Sequence, residues 1–346
     1  SIMSNPCDPF QLAYVPDTIS FSIHCSNDYA PGTELCDRFG NFSCVAEQAY
    51  SWTRGEVPSM VGEVQAGTTY CHQRQYTPTP QTLRKEFWRS IAAGHEGLIY
   101  WQWQAWRGGT FELGDFGLRT PDDGAPTERS REVRAFSELY RQNREAFADV
   151  SRQRAKVAIL ISRDTFITRM LQQIDHQNVS GWGQDASHAM LGCFRALEAG
   201  SINCEFISEE EVEAGGLEDY QVLYLPGIET MRARVAEQLS SFVKSGGNVY
   251  ADGRAAYLDE HMFLRDLIPG HGLAEVFGAK EADFIARQNR VTIKTGDGDE
   301  LRGMAMEQSL KVLNGTPSAY FSDGTVAAVE HCYGKGMTRL VGAQLC

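Results

Sequence analysis

The sequence predicts an α/β protein in two parts, a portion of a (β/α)8 barrel followed by an open α/β domain with a parallel sheet. Three observations lead to this fold class. Strand-like runs alternate with helix-like runs in the first 125 residues and again after residue 155. A polar segment, Arg152–Lys156, separates the two patterns. A chain of 346 residues also has room for two domains, which we place at residues 1–150 and 155–346.

The first part contains three strand-like runs, at residues 18–24, 59–64 and 97–103. Residues 82–93 have the 3.6-residue period of a helix, and a longer amphipathic helix is predicted at residues 127–149. Three strands are too few to close a barrel, which needs eight. We therefore predict the C-terminal portion of a TIM barrel, whose earlier strands are not in this sequence.

The second part has the pattern of a doubly wound sheet. Strands are predicted at residues 157–162, 203–207, 220–225 and 248–251, with helices at 186–199 and 236–244. Shorter runs then predict an antiparallel extension, at residues 284–285, 291–293, 326–330 and 338–341. The segments Leu225–Ile228 and Val249–Gly253 resemble a flavodoxin-like or glutamine amidotransferase-like sheet. They lack the nucleophilic cysteine of amidotransferases, so we expect this domain to be structural.

Composition and charge exclude several functional classes. The net charge is −13, and an acidic chain gains nothing from phosphate backbones, so we expect no nucleic-acid partner. No run of about 18 apolar residues and no signal-peptide pattern is present, so we expect no membrane partner. The nine cysteines form no Cys-x-x-Cys pair, which favours reduced thiols in a cytoplasmic protein. We expect no cofactor and no metal; a zinc site among Cys7, Cys25, Cys36 and Cys44 is the alternative.

One carboxylate has the position of a catalytic residue in a barrel. Glu63 lies at the C-terminal end of its predicted strand, in the segment Gly62–Gly67. Barrel enzymes carry their catalytic groups at that end of the strands, and a carboxylate there can act as a nucleophile or a base. The alternative is a loop glutamate that is only solvated.

The next predicted strand ends in an aromatic cluster, whose residues are Trp101, Gln102, Trp103, Gln104, Trp106 and Arg107. Flat rings stack on the C–H faces of a pyranose, and amide and guanidinium groups bind its hydroxyls, so the segment suits a sugar site. Regular alternation would place Trp101 and Trp103 on one face of the strand and Gln102 and Gln104 on the other. The alternative is a set of ordinary core tryptophans.

Polar residues in neighbouring loops are further candidates. Glu112 and Asp115 follow the aromatic cluster, and His24 and Asp28 follow the first predicted strand. Acidic side chains in such loops can hold sugar hydroxyls, although ordinary solvation explains them as well. A metal site at His24, Cys25 and Asp28 is disfavoured, because the group is compact and no further ligand accompanies it.

Together these segments resemble the C-terminal part of glycoside hydrolase family 42, the bacterial β-galactosidases. Gly62–Gly67 is similar to the nucleophile strand of that family. The last barrel strand and its loop are matched by Leu98–Gly109, Glu112, Gly117–Leu118, Asp123–Gly124 and Arg129. The family's trimerisation domain is matched by Tyr224–Gly227, Phe242–Val249, Val276–Gly278 and Tyr333–Met337.

The resemblance implies a retaining glycoside hydrolase that cleaves terminal β-D-galactosides, with Glu63 as the nucleophile. It also implies that residues 155–346 assemble the chain into a homotrimer. The substrate-binding residues that it implies are Trp101, Trp103, Arg107, Glu112 and Asp115. Asp115 stands near the place where the family has a histidine, which makes the sugar preference an open point.

The sequence departs from the family in one catalytic feature. The acid/base of the family lies in an Asn-Glu pair on an earlier strand, and this sequence contains no Asn-Glu pair. Two function classes therefore stay open. One is a glycosidase whose acid/base is not found in this chain, and the other is a non-catalytic oligomerisation or sugar-binding module.

Overall fold

The computed structural model of the protein describes residues 8–23, 42–67, 77–104, 117–148, 150, 152–172, 184–287, 290–304 and 306–345. These residues fall into two compact units. The first unit runs from Pro9 to Gln153, and the second comprises Asp8 and the residues from Arg154 onwards. Within these ranges, no helix has the length and apolar character needed to cross a membrane.

Three strands and five helices make up the described part of the first unit. The strands are β1 (Ile19–Ile23), β2 (Ser59–Gln65) and β3 (Leu98–Trp101). The helices are α1 (Pro9–Leu12), α2 (Phe42–Ser51), α3 (Pro80–Ala92), α4 (Glu128–Gln142) and α5 (Arg144–Ala148). The strands pair in parallel in the order β1-β2-β3, as the alternating sequence pattern predicts.

Helices α3 and α4 cover one face of this sheet. Phe87 of α3 stacks on Phe136 of α4, with 4.5 Å between the ring centroids. Both rings belong to a cluster against which Leu98 and Tyr100 of β3 pack. Because side chains alternate along a strand, Ile99 lies on the opposite face, where 54% of it is exposed. Among the described residues, helices therefore cover one face of the sheet, and the other face is open.

The helix predicted over residues 127–149 is two helices, which corrects that prediction. Asn143 separates them: its side-chain amide donates to Leu139 O at 2.8 Å, and its backbone N–H donates to the carbonyls of Leu139 and Tyr140. These bonds end α4. The apolar pattern nevertheless continues, because Phe147 of α5 stacks on Tyr140 of α4 at 4.9 Å. Periodicity alone could not reveal the break.

A buried histidine joins three segments of the first unit. His95 is 3% exposed. Its Nε2 lies 2.9 Å from Ala46 O and its Nδ1 lies 2.7 Å from Ser59 Oγ. Since a carbonyl only accepts, Nε2 carries the proton and Nδ1 accepts from the serine hydroxyl. Burial lowers the pKa of His95 to about 4, and the nearby Arg152 guanidinium also lowers it, against the bond to Ala46 O.

The second unit contains five helices and twelve strands among its described residues. The helices are α6 (Arg163–Gln172), α7 (Gln184–Ala199), α8 (Glu209–Glu213), α9 (Ala233–Ser245) and α10 (Leu273–Phe277). The first four strands are β4 (Val157–Ile161), β5 (Cys204–Ser208), β6 (Val222–Leu225) and β7 (Asn248–Asp252). The others are β8 (Ala279–Ala286), β9 (Val291–Thr295), β10 (Glu300–Met304), β11 (Met306–Val312), β12 (Thr316–Tyr320), β13 (Val326–Tyr333), β14 (Gly336–Val341) and β15 (Gln344–Leu345).

One ten-stranded sheet runs through the second unit. Its parallel part has the order β14-β7-β6-β4-β5, so the direction of winding changes between β4 and β6. Strands β13, β12, β9, β10 and β15 continue it in antiparallel fashion, and β8 and β11 form a separate ribbon. The predicted antiparallel extension is thus confirmed for residues 291–293 and 326–330, with two corrections. Residues 284–285 lie in β8, which belongs to the separate ribbon. The strand predicted at residues 338–341, within β14, pairs antiparallel with β13 on one side but in parallel with β7 on the other.

The largest core of the second unit lies between the parallel strands and helices α9 and α10. Leu223 of β6 and Leu239 of α9 belong to this cluster with Phe277 of α10, and each is at most 1% exposed. Burial of such side chains is the main stabilising contribution to the unit. The α/β architecture predicted for residues 155–346 follows from this packing.

The neutral state of His95 predicts a loss of stability in acid. Below its ordinary pKa of 6.5 the unfolded chain binds a proton that the folded unit does not take up until about pH 4. The contribution is therefore complete above pH 6.5 and is lost as the pH falls. Between about pH 7.5 and about pH 4.5 we expect a loss of about 2–3 kcal/mol from this group.

Urea unfolding followed by tryptophan fluorescence measures this loss, because five of the six tryptophans lie between residues 52 and 106. His95→Gln cannot titrate, so its free energy of unfolding should fall less over the same pH range than that of the parent. His261→Gln removes an exposed histidine and serves as the control. Equal acid sensitivity in the parent and His95→Gln would contradict the assignment.

Candidate active site

The open face of the first unit presents a carboxylate at its centre. Glu63 lies on β2, between β1 and β3, and is half-buried. The hydroxyl of Ser22 on β1 donates to Glu63 Oε2 at 2.9 Å. This bond fixes Oε2, and the same hydroxyl does not bind the other oxygen, Oε1. The arrangement holds the carboxylate of Glu63 near the carboxyl end of the strands.

A β-bulge turns Glu63 towards the open face. In the pairing of β1 with β2, Phe21 faces Val61 and Ser22 faces Glu63, so Gly62 is an extra residue. Val61 and Val64 are both completely buried, and they pair with Leu98 and Tyr100, which pack on the helix-covered face. In a regular strand Glu63 would share the face of Val61. The bulge therefore keeps the carboxylate out of the apolar core.

Gly62 fits this bulge because Ser20 occupies the space beside it. A β-carbon added at Gly62 would fall directly on Ser20 Oγ and would lie 3.1 Å from Ser20 Cβ. Ser20 and Ser22 are the exposed residues of β1, whereas Ile19, Phe21 and Ile23 are buried. Two small hydroxyl side chains of β1 thus border the bulge and the carboxylate.

The predicted strand at residues 97–103 ends earlier than expected. β3 stops at Trp101, and the Trp101–Gln102 peptide bond is cis. Gln102 is buried, and Trp103 is 62% exposed. The simple alternation predicted for Trp101, Gln102, Trp103 and Gln104 is therefore wrong beyond Trp101. After Trp101 the chain leaves the sheet and pairs with residues 117–119, which we call the returning segment.

The returning segment supports one face of Trp103. Leu118 N donates to Gln102 O at 2.9 Å, and Arg119 N donates to Trp103 O at 3.1 Å. These bonds bring the Arg119 guanidinium over the Trp103 ring, 4.5 Å from its centroid. A cation–π contact on one side and exposure on the other leave the indole as a supported flat surface. Such a surface can stack on a sugar ring.

Arg129 joins the two halves of the site. From the first turn of α4, its Nε donates to Ala66 O at 2.8 Å and its Nη2 donates to Gly117 O at 3.2 Å. Thr127, the N-cap of α4, donates to Leu118 O at 2.7 Å. The helix start therefore fixes both the end of β2 and the returning segment. The sequence contains Arg129 within the family pattern, but nothing in its spacing indicates this bridging role.

The structure brings some of the predicted residues together. Gln65 on β2 pairs with Trp101 on β3, so Glu63 and Trp101 lie on adjacent strands at the same end of the sheet. Arg107, Glu112 and Asp115 lie outside the described residues, as do His24, Cys25 and Asp28. Among the residues that the structure describes, no group of three or more His, Cys, Asp or Glu side chains is placed to hold a metal ion.

The edge of the second sheet at which its parallel strands end, which we call the carboxyl edge, is occupied by an ion-pair network of side chains from the same unit. Arg232 forms ion pairs with four carboxylates, those of Asp164, Glu209, Glu210 and Glu213. Burial raises the pKa of Glu209, and the negative charge of Asp164 raises it further. Ligands of doubly wound sheets bind at this edge, where the winding changes direction. Here an internal ion-pair network occupies that place, which agrees with a structural domain.

Comparison with known families identifies both parts of the chain. Residues 155–346 match the profile of the β-galactosidase trimerisation domain, and residues 4–142 match the β-galactosidase profile of the glycoside hydrolase 42 family. The chain is 24% identical over 321 residues to the β-galactosidase LacZ of Heyndrickxia coagulans. It is 25% identical over 272 residues to the β-galactosidase BglY of Alicyclobacillus acidocaldarius.

These relatives are longer than this chain. The alignments cover 89% and 74% of this chain, but only 46% and 38% of the relatives. The chain therefore spans less than half the length of the curated relatives it matches. The crystal structure of the β-galactosidase from Rahnella sp. R3 matches 98% of this chain and 50% of its own, with a TM-score of 0.80 at 18% identity. The match confirms the predicted fold class, part of a TIM barrel followed by the α/β trimerisation domain.

The bulge predicts a steric penalty at Gly62. Gly62→Ala places its methyl group on Ser20 Oγ, so the serine must rotate and the bulge must shift. We expect a loss of about 1–2 kcal/mol in the free energy of unfolding, measured by urea unfolding. In a Ser20→Gly background the hydroxymethyl group is gone, and the same substitution should cost clearly less. Equal costs in both backgrounds would mean that Ser20 does not set the requirement for glycine.

Proposed function

The chain belongs to glycoside hydrolase family 42, the β-galactosidases, and from this premise we propose that it acts in the retaining hydrolysis of terminal β-D-galactosides with Glu63 as the nucleophile. One observation carries the proposal. Glu63 is turned by a β-bulge onto the open face of the barrel strands and is held there by Ser22 at 2.9 Å. Position at the carboxyl end of barrel strands is typical of catalytic groups.

In the proposed mechanism Glu63 acts in two displacement steps. An oxygen of its carboxylate attacks the anomeric carbon, and the bond to the leaving-group oxygen breaks with its electron pair, giving a glycosyl-enzyme ester. Water then attacks the same carbon, loses a proton and releases the carboxylate. The bond from Ser22 orients Oε2, which leaves Oε1 for the attack. No residue of this chain is assigned as the acid/base that such a pair of steps uses.

The proposed sugar site lies along the aromatic segment after β3. Trp103 offers a surface that Arg119 supports from one side, and Trp101 lies on the strand next to Glu63. We assign Trp101, Trp103, Arg107, Glu112 and Asp115 to substrate binding, the last three on the family resemblance alone. C–H groups of a pyranose stack on indole rings, while charged and amide groups bind its hydroxyls.

We further propose that the chain forms a homotrimer in the cytoplasm. The match of residues 155–346 to a trimerisation domain supports self-association. Among the described residues, Cys44, Cys193, Cys204 and Cys332 are thiols rather than disulfides, which favours a reducing compartment. The ion-pair network at the carboxyl edge of the second unit supports an assembly role for this domain rather than a second catalytic one.

Glu63→Gln tests the catalytic role. The amide keeps the size of the side chain but cannot form the ester, so hydrolysis of a nitrophenyl β-galactoside should fall by at least about a thousandfold. Glu96→Gln, at the other end of the same sheet and exposed, should retain the activity of the parent. Both variants should keep the unfolding midpoint of the parent within error.

A covalent label tests the same role without an acid/base. A 2-deoxy-2-fluoro-β-galactoside with a dinitrophenol leaving group needs no protonation, because dinitrophenolate is a weak base. We expect the fluorogalactosyl group on the peptide that contains Glu63, detected by mass spectrometry after digestion, and no label on Glu63→Gln. Label on a different carboxylate would remove Glu63 from the mechanism. Absence of both label and turnover would favour a non-catalytic module.

A further inference from the structure

Two buried glutamines lie at the carboxyl end of the barrel strands, beside the proposed nucleophile. Gln65 is the last residue of β2 and is 1% exposed. Gln102 directly follows β3 and is 8% exposed. Because Gln65 pairs with Trp101, the two glutamines come from adjacent strands at the same end of the sheet, although they are distant in the sequence.

Gln65 belongs to the same face of the sheet as Glu63. Val64, between them, pairs with Tyr100, which packs on the helix-covered face. Since side chains alternate along a strand, Glu63 and Gln65 both belong to the open face. Two residues span about 7 Å of strand, so the Gln65 amide lies about the width of a sugar ring beyond the carboxylate. A glutamine in this position can reach a ring whose anomeric carbon lies at Glu63.

Hydrogen bonds of the main chain hold both glutamines in place. Ala66 N, directly after Gln65, donates to Trp101 O at 2.8 Å. Leu118 N, from the returning segment, donates to Gln102 O at 2.9 Å. The main chain is therefore fixed at both positions, and burial restricts the side chains. Groups held in this way lose little conformational freedom when they bind a ligand, which favours binding.

Each glutamine has one buried amide atom that makes no hydrogen bond within the described part of the chain. These atoms are Gln65 Oε1, which is an acceptor, and Gln102 Nε2, which is a donor. A polar atom that is buried without a partner costs the folded protein free energy. Most such atoms in proteins are paired, so each exception needs an explanation. Two exceptions on adjacent strands, next to a proposed nucleophile, point to a ligand that supplies the partners.

The two atoms together favour a neutral ligand that carries hydroxyl groups. The carbonyl oxygen of Gln65 only accepts, so it can bind a hydroxyl but not a carboxylate. The amide N–H of Gln102 only donates, so it can bind a hydroxyl oxygen but not an ammonium group. A hydroxyl both donates and accepts. Sugar hydroxyls can therefore satisfy both glutamines.

We propose that Gln65 and Gln102 bind ring hydroxyls of the sugar whose anomeric carbon reacts with Glu63, and that they determine which sugar the site accepts. This inference deepens the proposed function and rests on it, because the hydroxyls belong to the proposed galactoside. A site that pairs a buried amide with a hydroxyl rejects a sugar that lacks this hydroxyl, since the amide atom is then left unpaired. The glutamines thus add specificity-determining residues to the aromatic and charged groups already assigned to substrate binding.

Calorimetric titration of the full chain with methyl β-D-galactoside and its monodeoxy analogues tests the proposal. Gln65→Met and Gln102→Met keep the length of the side chain and remove the amide. Each should raise the Kd of the complete sugar about tenfold, the effect of one lost hydrogen bond. For one of the deoxy analogues, variant and parent should have nearly the same Kd, which identifies the hydroxyl that the amide binds. The matched control is Gln142→Met, at the exposed end of α4, which should bind every sugar like the parent.

Urea unfolding in the absence of sugar provides a readout that a merely structural role would move in the opposite direction. Removing a buried amide atom that has no partner relieves a cost in the free protein. The unfolding midpoint of Gln65→Met should therefore rise above that of the parent, as substitutions in binding sites often do at the expense of function. A glutamine that served only the fold would instead give a lower midpoint when it is replaced.

The outcomes separate this inference from the proposed function. A parent that binds the galactoside no better than both glutamine variants do would overturn the role of the glutamines and leave that of Glu63 standing. An equal loss of affinity for the complete sugar and for every deoxy analogue would indicate an indirect effect and would also overturn it. A parent that binds no galactoside overturns the inference, while covalent labelling of Glu63 still decides the catalytic role. If Gln65→Met does not fold, the same comparison on Gln102→Met decides.

Discussion

The fit of Ser20 against Gly62 is the contact on which the geometry of the candidate active site depends. The strand β2 must bury Val61 and Val64 against the helices, and these residues are three positions apart in the sequence. A regular strand cannot place both on one face. The extra residue Gly62 shifts the alternation so that both valines face the helices. It must lack a β-carbon, because Ser20 Oγ occupies the place that a β-carbon would take. The same extra residue carries Glu63 to the open face beside Ser22.

Much of this architecture could be predicted from residue patterns, and the failures have identifiable physical causes. The buried-exposed alternation of Ile19–Ile23 and the apolar face of α3 are local signals, and both elements form where they are expected. The bulge is not a local signal, because it arises from packing between strands. The break at Asn143 is hidden by Tyr140 and Phe147, which keep the apolar period across it.

The orientation of the aromatic segment after β3 also could not be predicted from local patterns. The sequence predicts a sugar-binding role for Trp101 and Trp103, but the orientation of this segment depends on the bonds that Gln102 and Trp103 make to the returning segment. Those partners are far enough away in sequence that no spacing rule relates them. The role of Arg129 depends even more on long-range contacts, because its two bonds join the end of β2 to Gly117. Contacts of this kind can be recognised only once the fold is known.

Glu63 of the first unit and Asp252 of the second unit are held in opposite ways, and this difference bears on which of the two can react with a ligand. In the second unit Asp252 is 2% exposed, and burial raises its pKa to about 7, although the N–H groups of Gly227 and Leu345 oppose this. A carboxyl group that binds its proton near neutral pH and is closed off from solvent is a poor nucleophile. Glu63 is half-buried and bound through one oxygen by a single described hydroxyl. A carboxylate so placed can reach a ligand on the open face, whereas both oxygens of Asp252 accept backbone N–H groups, those of Gly227 and of Leu345 in β15.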